Sequence, residues 1–354
     1  MSEALANDAR IAPAAVPLAF NPVPGRDWTR ADLDARADQI VRPVPAALNA
    51  EIARMLERLR RQGLTLDTVE TEDTLLPALA AMAPQLRAEL DTGSGVTVLR
   101  GLAVDGLSGE DASIVAFAIG NHLGRIMRQG IATDRRIFTV TNTGAETTDP
   151  IRIGATAKRS AMHSDNGCLE RRAADYLGLL CAENAAAGGE STLVSGQTLY
   201  RTIVAERPDL LPHFHRAWHF LPPRLHTWPE GPETIAKPIF DTEDGELHVH
   251  YARVMIEPGQ KLAGAPLTDA ERDAFDWFDA LLERDEIVWT YTLEPGDLLL
   301  THNLATLHGR LAFSDDGTKR RVLKRIWMRQ RGRGMRDDPA LLALDLDRYG
   351  SQAL

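Results

Sequence analysis

The sequence predicts a single α+β domain: a sandwich or barrel of short strands, with helices packed outside it and a helical layer at its N-terminal side. Three observations carry this. Apolar residues recur at helical spacing as far as Leu123. From Ile137 onward, short apolar and β-branched runs dominate, broken by turns. No internal repeat or linker divides the chain. The expected layout is an N-terminal arm at 1–26 and one domain at 27–354, with its helical layer at about 27–94 and its strand-rich core at about 95–330.

The arm, rich in Ala, Pro and Asn, has no sustained periodicity and reads as loosely draped. Ile52, Met55, Leu56 and Leu59 place a helix over Ala47 to Arg61, stopped by Gly63, and a second follows over Leu75 to Leu90. Gly93-Ser94-Gly95 then turns the chain into the strand-like Val96-Thr97-Val98-Leu99. Ser108 is placed to cap a helix from Glu110 to Leu123. The expected strands are Ile137 to Thr141, Tyr176 to Cys181, Ser191 to Val194, Leu247 to Ile256, Ile287 to Thr292, Asp297 to Thr301 and Val322 to Arg329. One helix begins near Ser195 and must stop before Pro208. Another opens on the capping box Thr268-Asp269-Ala270-Glu271 and runs to about Arg284. Glu294-Pro295-Gly296-Asp297 reads as a tight turn between strands. The Thr- and Gly-rich stretch Asn142 to Ala161 reads either as a surface loop or as a lid over a site.

Composition narrows the function classes. A formal charge of -10 and a pI near 5.5 argue against nucleic-acid binding, which needs clustered Lys and Arg facing phosphates. Two cysteines, Cys168 and Cys181, build neither a disulfide framework nor a four-thiolate zinc site. Met1 to Ala19 shows no secretory signal, and no stretch of about 20 apolar residues offers a membrane span. The expectation is a cytoplasmic protein acting on a small molecule, with self-association left open.

Of ten histidines, His163 alone has a carboxylate two residues later, Asp165. On an extended strand, residues i and i+2 share a face, so imidazole and carboxylate can meet at one point. With a third ligand from a distant strand they make a facial triad with open positions, an arrangement that suits iron(II). His308, in Leu307-His308-Gly309-Arg310, is the best third candidate; its plainer reading is a loop histidine bonded to backbone. Beyond it, Arg321, Leu323 and Arg325 alternate with Val322, Lys324 and Ile326. An inward-facing arginine needs a partner, either a dicarboxylate ligand or a protein carboxylate.

The order His163-x-Asp165, then Gly188-Gly189-Glu190-Ser191-Thr192, then His308-Gly309-Arg310, then Arg320-Arg321-x-x-x-Arg325 resembles the taurine dioxygenase-like (TauD/TfdA) family of iron(II)/2-oxoglutarate-dependent oxygenases, related to clavaminate synthase. The likeness runs from about Gly95 to Arg329. It implies a double-stranded β-helix, or jelly-roll, core. It implies that His163, Asp165 and His308 bind Fe(II), that 2-oxoglutarate and O2 are cosubstrates, and that Arg325 grips the distal carboxylate of 2-oxoglutarate. By the same likeness Arg321 lies near the cosubstrate's other end and Thr192 donates a hydroxyl to the distal carboxylate, with Ser191 as its competitor. Asp165 fills a position that related halogenases leave to a small residue, so hydroxylation is expected, with desaturation or oxidative cleavage as variants.

Other readings stand beside this one. His248-Val249-His250 is a second same-face pair that would suit a cupin-type site. His213, His215 and His219 read as surface or interface residues, and Cys168 as a small packing residue. Arg152, Arg159 and Arg253 are candidates for gripping an acidic substrate group. A catalytically silent protein that binds 2-oxoglutarate or another ligand on the same scaffold is the alternative function; a zinc hydrolase using the same three ligands is a weaker one.

Overall fold

A computed structural model describes residues 16–129, 135–144, 154–169, 173–222 and 232–330. Periodicity placed the helices well. They run over Ala46–Gln62, Pro77–Asp91, Gly109–Leu123, Gly196–Glu206 and Asp269–Leu281. The Ser108 and Ser195 hydroxyls and the Thr268–Glu271 box cap the last three, satisfying backbone N–H groups that open a helix without partners.

Two sheets form the centre. One has seven strands, in which Leu298–His302 lies between Val96–Arg100 and Tyr176–Glu183, and Val322–Arg329 pairs with Tyr176–Glu183 on its other side. The other has four, in the order Trp289–Tyr291, Ser191–Ser195, Thr306–Arg310, Ser160–His163. The alternation along single strands shows how they stack. Leu299 and Leu323 join Val96, Val98 and Cys181 of the large sheet with Leu193 and Trp289 of the small one, so these residues fill the space between the sheets. Leu298, Leu300 and Ile326 point the other way, into the helices at 46–62, 77–91 and 109–123. Val194 and Leu307 turn outward from the small sheet onto a second apolar layer holding Tyr200, Phe214, Phe275 and Phe278. The order is therefore helices, sheet, sheet, helices: a mixed arrangement that buries one face of every amphipathic element.

Two expectations on the chain path change. Leu247 to Ile256 is not one strand. It pairs with Phe240–Glu243 only over Glu246–Val249, and a helix runs from Arg253 to Leu262. Pro258 and Gly259 inside that helix hid it, because both residues oppose helix propensity. Nor is the described part of the arm loosely draped. The Val23 backbone both donates to and accepts from the Gln197 side chain, and buried Arg26 bonds Glu246 and the Leu90 carbonyl. Residues 1–15 lie outside the described residues, as do 331–354.

The turn at Glu294 to Asp297 is tied on both sides. Gly296 donates to the Cys181 carbonyl and accepts from Leu102 N–H, while Arg100 pairs with Asp297 at 2.9 Å. Gly296 has φ +87°, and a Cβ there would stand 2.3 Å from the Leu102 carbonyl oxygen. Gly296→Ala is expected to cost about 2–3 kcal/mol through backbone strain and that collision, read as a lower urea midpoint. An unchanged midpoint would show that the turn relaxes freely.

Candidate metal centre and anion pocket

Pairing across the small sheet gathers the first group of residues. His308 lies opposite His163 on one side and Leu193 on the other, and directly paired strand residues share a face. Leu193 belongs to the layer between the sheets, so both imidazoles point there. Their ring centroids are 4.4 Å apart. Asp165 comes just beyond the His163 strand, where Asn166 at φ 51° turns the chain sharply, a conformation that asparagine tolerates better than most residues. His163 Nε2 stands 3.3 Å from Asp165 Oδ1, and His308 Nε2 stands 3.9 Å from the same oxygen. The three donor atoms lie within 4.8 Å of one another. Ligands held at about 2.1 Å from one ion and at right angles would be roughly 3 Å apart, so small closing movements suffice.

The surroundings prepare these groups to bind a cation. His163 Nδ1 lies 2.8 Å from the Ala161 carbonyl oxygen; donating there leaves Nε2 with its lone pair free. Burial, reinforced by neighbouring His163, pushes His308 down to about 3, so its ring is neutral at ordinary pH. Burial is the largest influence on His163 and opposes its charge, but the hydrogen bond and charge of Asp165 together with the Ala161 carbonyl outweigh it and raise that histidine. Burial alone would raise Asp165; Arg325 beside it, with the His163 hydrogen bond, instead holds the carboxyl well below the usual carboxylate range. Two imidazoles and one carboxylate are a donor set that suits iron(II).

Asp165 is locked from behind by residues that the motif reading missed. Asn303, fully buried, accepts from Asp165 N–H and donates to the Asp165 carbonyl, both at 2.8 Å. Trp327 Nε1 donates to Asp165 Oδ2 at 2.8 Å, and Arg325 Nη1 lies 3.3 Å from the same oxygen. Gln129 in turn accepts from Arg325 Nε and donates to the Arg325 carbonyl, each at 2.8 Å. Trp327 was within reach of the sequence, since it follows Arg325 by two on a strand. Asn303 carries no sequence signal that we recognise.

A second group lies further along the same cleft. Ser191 pairs with Arg310 one step beyond the Leu193–His308 level, and Arg321 lies one step beyond Leu323. Both arginines are buried, and burial pushes each down to about 10, so they stay charged at neutral pH. Among the described residues no carboxylate pairs with either guanidinium. Arg310 donates to the Thr156 carbonyl at 2.9 Å and also to that of Lys158. Arg321 packs over Phe313, its guanidinium carbon 5.4 Å from the ring centroid. Gly189 makes room for it: a Cβ there would lie 2.9 Å from Arg321 Nε. Asp315 and Glu190 act on Arg321 without a side-chain ion pair, and a buried charge lacking a paired counterion is costly, so an anion would suit this pocket.

The sites expected from sequence therefore separate. His163, Asp165 and His308 come together with Arg325, while Arg321 stands apart. Four residues of extended strand place the two arginine backbones roughly 13 Å apart. Thr192 is on the wrong face. It pairs with Gly309, and its hydroxyl lies 3.6 Å from Met162 Sδ, in the outward layer; Ser191 occupies the inner face. Arg253 is engaged by Glu257, Asp276 and Asp279, and Arg159 by Glu283, so neither offers a free grip for substrate. Arg152 and the middle of the expected lid, 145–153, lie outside the described residues. His215 bonds the Tyr200 hydroxyl and His219 that of Thr234. Cys168 is a buried thiol that burial pushes up to about 12, in keeping with a packing role.

Asp241, His248 and His250 also bring donor atoms within 4.8 Å of one another. Asp241, however, already receives Lys237 Nζ at 2.8 Å and sits 2.9 Å from His250 Nε2. A buried ammonium on the same carboxylate repels an incoming cation, so the cupin-type reading gains no support.

Comparison with known proteins bears on the family and the fold. A family described as taurine catabolism dioxygenase TauD, TfdA family matches residues 60–327. FR-33289 synthase of Streptomyces rubellomurinus is 30% identical over 320 residues, covering 88% of this chain and 92% of the relative. A taurine hydroxylase-like protein, SAT17, of Stachybotrys chartarum is 25% identical over 299 residues, covering 79% and 72%. The fold is shared with asparagine oxygenase, solved with Fe(II), 3-hydroxyasparagine and succinate, at TM-score 0.65, 21% identity and coverage of 82% and 93%. It is also shared with the non-haem iron oxygenase OrfP, solved with Fe and alpha-ketoglutaric acid, at TM-score 0.61, 18% identity and coverage of 82% and 94%.

Proposed function

The chain belongs to the taurine catabolism dioxygenase TauD, TfdA family of iron(II)/2-oxoglutarate-dependent oxygenases, and from that premise we propose that His163, Asp165 and His308 hold its iron and that it hydroxylates a small polar molecule. The observation that carries the assignment is the convergence of two imidazole nitrogens on one oxygen of Asp165, at 3.3 and 3.9 Å. Iron bound there supplies activation of dioxygen, coupled to decarboxylation of 2-oxoglutarate to succinate and carbon dioxide.

The chain's own residues then have distinct tasks. Arg321 receives the distal carboxylate of 2-oxoglutarate, helped by the Ser191 hydroxyl and the charge of Arg310. Arg325, bonded to Asp165, belongs to the metal end of the cleft. These assignments exchange the roles expected from the family likeness for Arg325 and Arg321, and put Ser191 in the place of Thr192. The physical reason is register: of the two hydroxyls Ser191 shares a face with His308, and of Arg321 and Arg325 it is Arg321 whose buried guanidinium has no paired carboxylate among the described residues. The sheets exclude bulk water from the inner end of the pocket, which strengthens every charge contact there.

Two facing sheets with this strand pairing support a jelly-roll core, within one catalytic domain from about residue 27. No described helix is long and apolar enough to cross a membrane. Both cysteines are free thiols, which suits action in the cytoplasm. The substrate class we favour is an amino acid or a related small acid, because asparagine oxygenase and OrfP were solved with hydroxylated amino acids. Screening amino acids and other small acids for iron-dependent succinate release tests this. At least one should raise succinate formation well above the substrate-free rate. Release no greater than that of His163→Ala under every condition would contradict the oxygenase assignment.

A further inference from the structure

We propose that Trp327 is the positioning residue that makes Asp165 a one-oxygen ligand. The inference rests on the iron site assigned above and goes beyond it to what limits that site's coordination. A carboxylate can bind a metal through one oxygen or both, and a second bound oxygen would take a position that the cosubstrate or dioxygen needs. The indole N–H only donates: it neither accepts a proton nor competes for the cation. At 2.8 Å from Oδ2 it occupies that oxygen, while Oδ1 faces both histidines.

The indole is itself held in place. The Trp327 backbone pairs with Leu177 on one side and Met127 on the other. The Arg325 guanidinium carbon lies 4.4 Å from the Trp327 ring centroid and 5.0 Å from that of Phe138, while Gln129 fixes Arg325 from its side. Arg325, at 3.3 Å, adds charge to Oδ2, whereas the shorter contact comes from the indole. Supports of this kind typically alter metal affinity by about 10–100-fold.

Trp327→Phe keeps an aromatic ring beneath Arg325 while removing the N–H together with part of the indole surface. Anaerobic Co(II) titration of the full chain, followed by visible absorption, should show affinity at least tenfold weaker than wild type. The d–d spectrum should change as the carboxylate is freed, while the thermal midpoint of the metal-free protein stays within a few degrees. Wild-type affinity and spectrum in the variant would overturn the proposal. A second measurement needs no substitution: a crystal structure of the iron-loaded protein should show Asp165 bound through one oxygen, with Trp327 Nε1 still on the other, and binding through both oxygens would overturn it. Failure of the underlying assignment looks different, since then His163→Ala would bind Co(II) as tightly as wild type.

Discussion

Arg321→Ala is expected to raise the 2-oxoglutarate concentration for half-maximal turnover about a hundredfold or more, with iron affinity within a few-fold of wild type. A guanidinium holding a carboxylate through two charge-assisted hydrogen bonds contributes about 1.5–3 kcal/mol per bond, and 1.4 kcal/mol is a factor of ten. Arg321 is buried near Arg310, and among the described residues no carboxylate pairs with its guanidinium, which suits it to an anionic ligand. Arg325→Ala should behave differently. That guanidinium lies on Asp165 Oδ2, so its loss should weaken iron binding as well as turnover. Steady-state kinetics over a range of 2-oxoglutarate, with iron affinity measured in parallel, separates the two. A large, selective 2-oxoglutarate defect in Arg325→Ala with Arg321→Ala near normal would restore the roles first expected from the family likeness.

Asp165→Ala and His163→Ala should both lose turnover, by at least about a thousandfold, because each removes a metal ligand. Their metal-free stabilities should diverge. His163 is partly exposed and, among the described residues, its polar contacts are the Ala161 carbonyl and Asp165. Asp165 instead answers the charge of Arg325 and the indole N–H of Trp327 within a buried cluster. Removing it leaves a largely buried guanidinium with Gln129 as its one side-chain polar partner among the described residues, at a cost of about 1–3 kcal/mol. Thermal unfolding of the metal-free proteins should therefore place Asp165→Ala a few degrees below His163→Ala. Equal midpoints would show that Arg325 finds water or another acceptor without penalty.

Much of this was legible in the residues alone. Apolar spacing located the long helices to within a residue or two at most ends. Period-two alternation separated Arg321, Leu323 and Arg325 from the face of Ile326. The His163-x-Asp165 pair needed only strand geometry to be singled out. What could not be read depends on register and on contacts far apart in sequence. Ser191 and Thr192 are adjacent hydroxyls, and only the pairing of Leu193 with His308 decides which one faces the cleft. That pairing follows two left-handed glycines, Gly188 and Gly189, whose effect on phase no local pattern reveals. Arg321 and Arg325 look equivalent along the strand; Asp165, 160 residues from Arg325, distinguishes them. Asn303 and Gln129 act through bonds to Asp165 and Arg325 that join positions 138 and 196 residues apart in sequence. The helix at Arg253–Leu262 was obscured because Pro258 and Gly259 defeat propensity while tertiary packing of Ile256 and Gly259 holds it.

The central claim is that His163, Asp165 and His308 form an iron site able to receive 2-oxoglutarate. Anaerobic addition of iron(II) and then 2-oxoglutarate, followed by visible absorption, tests it most directly. The account predicts one iron bound per chain and a weak metal-to-ligand band that appears only with 2-oxoglutarate and is absent in His163→Ala. One iron bound with no band at saturating 2-oxoglutarate, or an undiminished band in His163→Ala, would contradict it.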